Sequence, residues 1–381
     1  MKSVRFIHTS DVHLDTSFSG SAFPSRLGDR KREAIRGTFR RIVEDARLNE
    51  VDFMLIAGDL FELDRITPDT FEFIRQQFES LHSIRVFISP GNHDPFMRGS
   101  PYKEESWPSN VHIFSAEEFQ SVELPETGIR ITGFGFTGTS LKEHHFRQLP
   151  VLSKEFFNIV LSHGSDLSRV PVGKSKHGPF SVEEIAGKNI QYCALGHYHQ
   201  QHRLQNPVDD TEIWYCGIPE GRGWDEAGNC SYLFGEISGG ALRLDSRFCS
   251  QYPLNTITID CDTFSTREQI VDSILQHKGV DFDPKTILRV RLLGALDPRL
   301  DLSLPELEER LAGEALYLQW DDQTYPALDF DSLALEKTLR GRFVRILNER
   351  IAAASEEDRI TLERARLYGV QALGEREVRL R

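Results

Sequence analysis

Seven side chains of this sequence could together hold metal ions: Asp11, His13, Asp59, Asn92, His163, His197 and His199. They supply two carboxylates, one amide oxygen and four imidazoles, with no thiolate, a donor set that suits Mn²⁺, Fe or Zn²⁺. Seven donors exceed what one ion needs, so two ions are expected. The centre of the pattern is Gly91-Asn92-His93-Asp94, where a glycine turn precedes an amide oxygen, an imidazole and a carboxylate. Asp11-Val12-His13, Gly58-Asp59, His163-Gly164 and Gly196-His197-Tyr198-His199 are residues of the same kind.

Each group follows an apolar run, over residues 4–7, 53–57, 86–88, 156–161 and 192–195. Such runs read as buried parallel strands. In an open α/β sheet ligands gather at the carboxyl ends of strands, so five such ends predict one shared site. Asp11 and His13, like His197 and His199, are two residues apart. An extended chain would put both members of each pair on one face.

The elements between these ends support that arrangement. Helical patterns over residues 26–49 and 67–82 separate the first three strands, giving β-α-β-α-β with right-handed crossovers. Residues 111–114, 121–124 and 130–136 read as short strands of a second sheet, and residues 182–187 as a short helix. Residues 212–216 and 231–237 read as antiparallel strands closing that sheet. His8 is expected in the core, and His144 and His145 on the surface. After Leu254 a new β-α-β-α pattern begins, over residues 256–260, 266–277, 287–293 and 305–311. From Ser332 the chain turns helical, and Ser355 with Asp358 resembles a capping box for a last helix. Three segments are expected: 1–254 with the site, 255–331 as a small α+β cap domain, and 332–381 as a C-terminal helical segment that either packs on the cap or docks a partner.

With 39% hydrophobic and 27% charged residues, nothing points to a disordered chain or a membrane protein, and a cytoplasmic location is expected. The five cysteines show no Cys-x-x-Cys spacing and read as core residues. A formal net charge of -13 opposes binding to nucleic acid, whose phosphates attract Lys and Arg. Two basic clusters run the other way: Arg26, Arg30, Lys31, Arg32, Arg36, Arg40 and Arg41, and Lys337, Arg340, Arg342, Arg345 and Arg350. Solvated helix faces are the plainer reading of both.

The motif series resembles the calcineurin-like metallophosphoesterases, and within them bacterial DNA repair exonuclease subunits of the SbcD/YhaO type. The resemblance rests on "FIHTSDVHLD", "VDFMLIAGDLFE", "SPGNHDP", "ALGHYHQ" and "YCGIPEGRG", and thins out after Leu254. It implies a four-layer αββα sandwich with a cap domain and a helical tail, and a dinuclear phosphodiesterase. By that resemblance Asp11, His13 and His199 hold one ion, Asn92, His163 and His197 hold the other, and Asp59 bridges them. His93 would face the scissile phosphate, with Asp94 orienting it, and Arg222 would either contact substrate phosphate or form a structural salt bridge. Mn²⁺ is the expected metal, with Fe, Zn²⁺ and Mg²⁺ as alternatives. The implied partners are DNA and an SbcC-like ATPase subunit bound by the C-terminal helices, with a homodimer left open. Two other readings stand beside this one: a phosphatase or nucleotide hydrolase acting on a small substrate, and a non-catalytic scaffold. Glu62 departs from the pattern, since some relatives carry an assisting histidine there.

Overall fold

Short runs of fully buried apolar residues form the strands that carry the site, as expected where both faces of a sheet are covered. The computed structural model describes residues 3–18, 23–169, 175–228, 230–281, 284–297, 300 and 302–374. They fall into two units, Met1–Leu254 and Asn255–Arg381.

The first unit contains twelve strands: β1 (Val4–Thr9), β2 (Phe53–Ile56), β3 (Arg85–Ile88), β4 (Val111–Ile113), β5 (Gln120–Leu124), β6 (Ile129–Gly133), β7 (Phe157–His163), β8 (Tyr192–Gly196), β9 (His202–Leu204), β10 (Glu212–Tyr215), β11 (Ser231–Ser238) and β12 (Ala241–Phe248). One sheet has the order β12-β11-β1-β2-β3-β4 and the other β5-β6-β7-β8-β10-β9. Phe6, Phe53, Leu55 and Phe87 of the first sheet pack with Ile131, Ile159, Leu161 and Tyr192 of the second in one core. Ile7, Met54, Ile56 and Val86, one position out of step, are equally buried on the other side of the first sheet. Helices α1 (Ser25–Leu48) and α2 (Pro68–Glu79) bring apolar stripes to that unit, and Phe39 of α1 meets Phe73 and Phe78 of α2. Thr67 caps α2 through the Thr70 N–H, with Pro68 in the first turn. A single turn, α3 (Pro101–Glu104), follows the Gly91–Asp94 motif. The fourth layer is thin, built from the short turns His145–Gln148 and Val182–Glu184 and their loops around Phe146, Phe180 and Ile185. The fold is the α/β, αββα sandwich.

Three expectations are corrected. β4 lies in the first sheet, parallel to β3. β11 also joins the first sheet, antiparallel to β1, while β10 is parallel to β8. Alternation along a strand marks which face is buried, and carries no information about which sheet the strand joins. Strand β12 was not foreseen; its Leu242 and Leu244 pack against the core between exposed neighbours. It returns from β11 through Gly239 and Gly240, both at positive φ, the two-residue turn that suits a hairpin.

In the second unit, β13 (Leu254–Asp260), β14 (Ile287–Leu296) and β15 (Tyr317–Pro326) form a sheet accompanied by α4 (Arg267–Asp281) and α5 (Leu304–Arg310). β15 was not foreseen, because Asp321, Asp322 and Gln323 interrupt its pattern; Asp321 pairs with Arg291 of the parallel neighbour β14. Helices α6 (Phe330–Leu335), α7 (Leu339–Ala353) and α8 (Glu356–Leu373) belong to this same unit. They bury Val344, Leu347 and Val370 and leave Leu335 and Leu339 exposed.

His145 is fully buried, against the expectation of a surface position, among Phe134, Phe146 and Phe180. Burial, reinforced by His163 and His144, pushes its pKa down to about 3. A base whose folded-state pKa lies below its unfolded value destabilises the fold as pH falls through the unfolded value, here about 6.5. His145→Gln is therefore less stable than the parent at pH 7. The gap should narrow by about 2 kcal/mol by pH 5 in urea denaturation. A constant gap would show that the imidazole charges within the fold.

Candidate metal centre

Three of the five strand ends turn toward the site through backbone that is not extended. Asp11, His13 and Asp59 lie at φ 52°, 51° and 53°, and His197 at 108°. These values correct the expectation of an extended Asp-x-His segment: left-handed backbone, rather than strand alternation, turns the two side chains together. Such conformations cost free energy in non-glycine residues and persist where the surroundings fix them. Here Asp11 N–H donates to the Gly58 carbonyl, His13 N–H to that of Asp59 and Leu14 N–H to that of Leu60, so two loops run side by side beyond their strands. Gly58, at φ 85°, admits the His163 ring, and a Cβ on Gly91 would strike the Asp59 carboxylate.

Within this frame the donors converge. His13 Nε2 lies 3.9 Å from Asp11 Oδ1 and 3.8 Å from Asp59 Oδ2. His199 Nε2 is 3.7 Å from Asp11 Oδ1, His163 Nε2 is 3.5 Å from Asp59 Oδ2, and the Asn92 amide oxygen is 3.1 Å from His163 Nε2. Asp11-His13-His199 and Asp11-Asp59-His163 are each compact enough to hold an ion. The His197 ring packs edge-on against His163, and its backbone N–H donates to Asp11.

Three ligand-type imidazoles are anchored through the far nitrogen. His163 Nδ1 meets the Ala57 carbonyl at 2.9 Å, His13 Nδ1 meets Glu62 at 2.8 Å, and His199 Nδ1 meets Glu226 at 2.6 Å. When Nδ1–H donates, the Nε2 lone pair is free for a cation. His13 Nε2 is buried and has no hydrogen-bond partner. An orphaned buried acceptor beside two carboxylates fits a cation and is costly without one.

A sequence model of the calcineurin-like phosphoesterases matches residues 4–201. The chain belongs to that family. Calcineurin-like phosphoesterases are dinuclear metal enzymes, and this chain is accordingly a metal-dependent phosphoesterase. It is 28% identical over 343 residues to the uncharacterized metallophosphoesterase YhaO of Bacillus subtilis (strain 168), covering 85% of this chain and 83% of that one. Among solved structures it is similar to a dimetal phosphatase from Danio rerio, at 12% identity and a TM-score of 0.42, covering 64% of this chain and 96% of that one. It is also similar to a purple acid phosphatase from yellow lupin, at 14% identity and a TM-score of 0.40, covering 66% of this chain and 52% of that one.

Around this calcineurin-like centre opens a cleft of about 810 Å³ lined by Asp59, Asn92, His93, His177, His197 and Arg222, among others. His93 Nδ1 bonds Glu62 at 2.7 Å, and its side chain is 44% exposed. The Glu62 bond, aided by the Asp59 carboxylate, raises the His93 pKa to about 9. Burial pushes His13 down to about 4 and His197 well below its ordinary value. Arg222 is clamped by Glu226 at 2.7 Å and lies 3.6 Å from Glu62, yet still lines the cleft. Glu62, Glu226 and His177 were not foreseen as site residues. Glu226 sits four positions after Arg222, and nothing in the spacing marks His177.

Asp94 does not do what was expected of it. Its oxygens accept from the backbone N–H groups of Asp59 (2.9 Å), Leu60 (2.7 Å) and Gly91 (2.7 Å) and from the Tyr102 hydroxyl (2.8 Å), while Glu62 holds His93. Adjacent side chains diverge, so Asp94 points back into the loop that carries Asp59. The α1 basic cluster is likewise not one free surface: Lys31 pairs with Glu220, Arg32 with Asp29, Arg36 with Asp69, and Arg41 donates to the Cys249 carbonyl. An amide at position 94 would turn a donor toward a backbone N–H or the tyrosine. Asp94→Asn should therefore cost about 3 kcal/mol in urea denaturation, on the scale of a buried unsatisfied group. A cost under about 0.5 kcal/mol would refute this support role.

Proposed function

We propose that this metallophosphoesterase is a dinuclear phosphodiesterase acting on DNA, the nuclease subunit of a complex with an SbcC-like ATPase. The observation that carries the hydrolytic reading is the convergence of Asp11, His13, Asp59, Asn92, His163 and His199 beside an open cleft into which His93 is exposed. The DNA reading is supported by the motif series from Phe6 to Gly223. In this reading Asp11, His13 and His199 hold one ion, Asn92, His163 and His197 the second, and Asp59 bridges. Two divalent ions there neutralise phosphoryl oxygens and generate a nucleophile at neutral pH. Mn²⁺ is the metal that the motif resemblance implies; the oxygen and imidazole donors suit Mn²⁺, Fe or Zn²⁺, and the five free cysteines are absent from the donor groups among the described residues.

His93 then presents Nε2 to the substrate, either donating to a phosphoryl oxygen as charge builds or giving its proton to the leaving oxygen. Arg222, held by Glu226, adds positive charge at the edge of the cleft. A second reading, a phosphatase or nucleotide hydrolase for a small substrate, draws on the net charge of -13 and on the internal pairing of the α1 basic residues. Among the described residues no helix is long and apolar enough to cross a membrane.

With Mn²⁺ the purified protein should hydrolyse linear DNA and bis-p-nitrophenyl phosphate faster than p-nitrophenyl phosphate, and chelation should abolish all three activities. Turnover of the monoester alone would sink the nuclease reading. The docking proposal concerns Leu335 at the end of α6 and Leu339 at the start of α7, 83% and 71% exposed. Because the tail helices belong to the second unit, charged substitutions are gentler than truncation. Leu335→Asp with Leu339→Asp should abolish copurification of the ATPase and preserve small-diester hydrolysis; undiminished copurification would refute the assignment.

A further inference from the structure

Glu62 touches more of the centre than any single ligand requires. Its Oε1 is 2.8 Å from His13 Nδ1, its Oε2 is 2.7 Å from His93 Nδ1, and Arg222 Nη1 lies 3.6 Å from Oε1. The two imidazoles meet edge to face with centroids 4.8 Å apart. The backbone fixes the carboxylate as well, because Glu62 N–H donates to the Leu14 carbonyl and Leu63 N–H to the His93 carbonyl.

We infer that Glu62 is a positioning residue serving two imidazoles at once: it orients His13 toward the first ion and His93 toward the substrate. The reasoning is one of acceptor count. A carboxylate is acceptor-only and offers an oxygen to each Nδ1–H, whereas a neutral histidine at the same position has one acceptor nitrogen and could serve only one ring. With both Nδ1 protons committed to Glu62, His13 Nε2 carries a lone pair toward Asp11 and Asp59, and His93 is held against rotation at the mouth of the cleft. Arg222 lies beside Glu62 and is itself held by Glu226, which anchors His199, so both imidazoles flanking Asp11 lean on one linked set of charges. The inference rests on the hydrolytic reading for the part played by His93, and on the donor geometry alone for His13.

The isosteric Glu62→Gln weakens the hold on both rings, since it keeps one acceptor oxygen that the two Nδ1–H groups must share. Titration of the metal-free protein with Mn²⁺ alone should show one of two binding steps weakened about tenfold or more. At saturating Mn²⁺, bis-p-nitrophenyl phosphate turnover should fall about tenfold with KM little changed. His93→Ala should keep its metal content and lose about a hundredfold in turnover. In that background Glu62→Gln should cost no further turnover while still weakening Mn²⁺ binding. Equal losses in both backgrounds, or unaltered Mn²⁺ binding, would overturn the inference. Absence of diester turnover in the unsubstituted protein would sink the phosphodiesterase reading alone, because the Mn²⁺ titration still decides whether Glu62 supports His13.

Discussion

Carboxylate oxygens and imidazole lone pairs within 4 Å of one another repel, and the rest of the first unit is built to hold them there. Burial removes the water that would otherwise separate Asp11, Asp59, His13 and His163. Divalent cations turn this repulsion into attraction, so affinity for metal is stored in the fold before any ion arrives. The parallel strands supply rigidity. The loops at their ends supply direction.

Direction comes at a local cost, and its compensation can be traced. Four ligand-type residues occupy left-handed or neighbouring backbone, each disfavoured by about 1–3 kcal/mol. Against this stand the N–H bonds that tie residues 11–14 to residues 58–60, and the Asp94 carboxylate, which gathers three further N–H groups around Asp59 and Gly91. Asp94 thus shapes the loop that carries Asp59 without bonding the His93 ring. A residue adjacent in sequence to His93 does its work on the opposite face of the turn.

Much of the architecture was readable because buried parallel strands leave uninterrupted apolar runs and because Asp, Asn and His cluster where those runs stop. The helices α1 and α2 followed from apolar spacing and from the Thr67-Pro68 start. What could not be read was anything set by tertiary partners. The sheet to which β4 and β11 belong depends on which edge is free, and local alternation is the same for either. His145 looks polar in sequence and is buried because an aromatic cluster surrounds it. Glu62 looked like a loss relative to a histidine, and its value is visible only once His13 and His93 are seen on either side of it.

The Gly217–Gly223 stretch adds a last constraint on the same chemistry. Glu220 is fully buried, pairs with Lys31 of α1, and accepts from the Thr38 hydroxyl and the Tyr252 N–H. Two residues later Arg222 begins the set of charges that reaches Glu226, His199 and Glu62. A buried ion pair is weak evidence of stability, since desolvation of the two charges offsets their attraction. Its multiple bonds instead fix where the loop can lie. The charged residues around the candidate ligands therefore form two tiers: an inner one bonded to imidazoles, and an outer one that pins the inner one to α1 and to the Gln251-Tyr252 segment after β12.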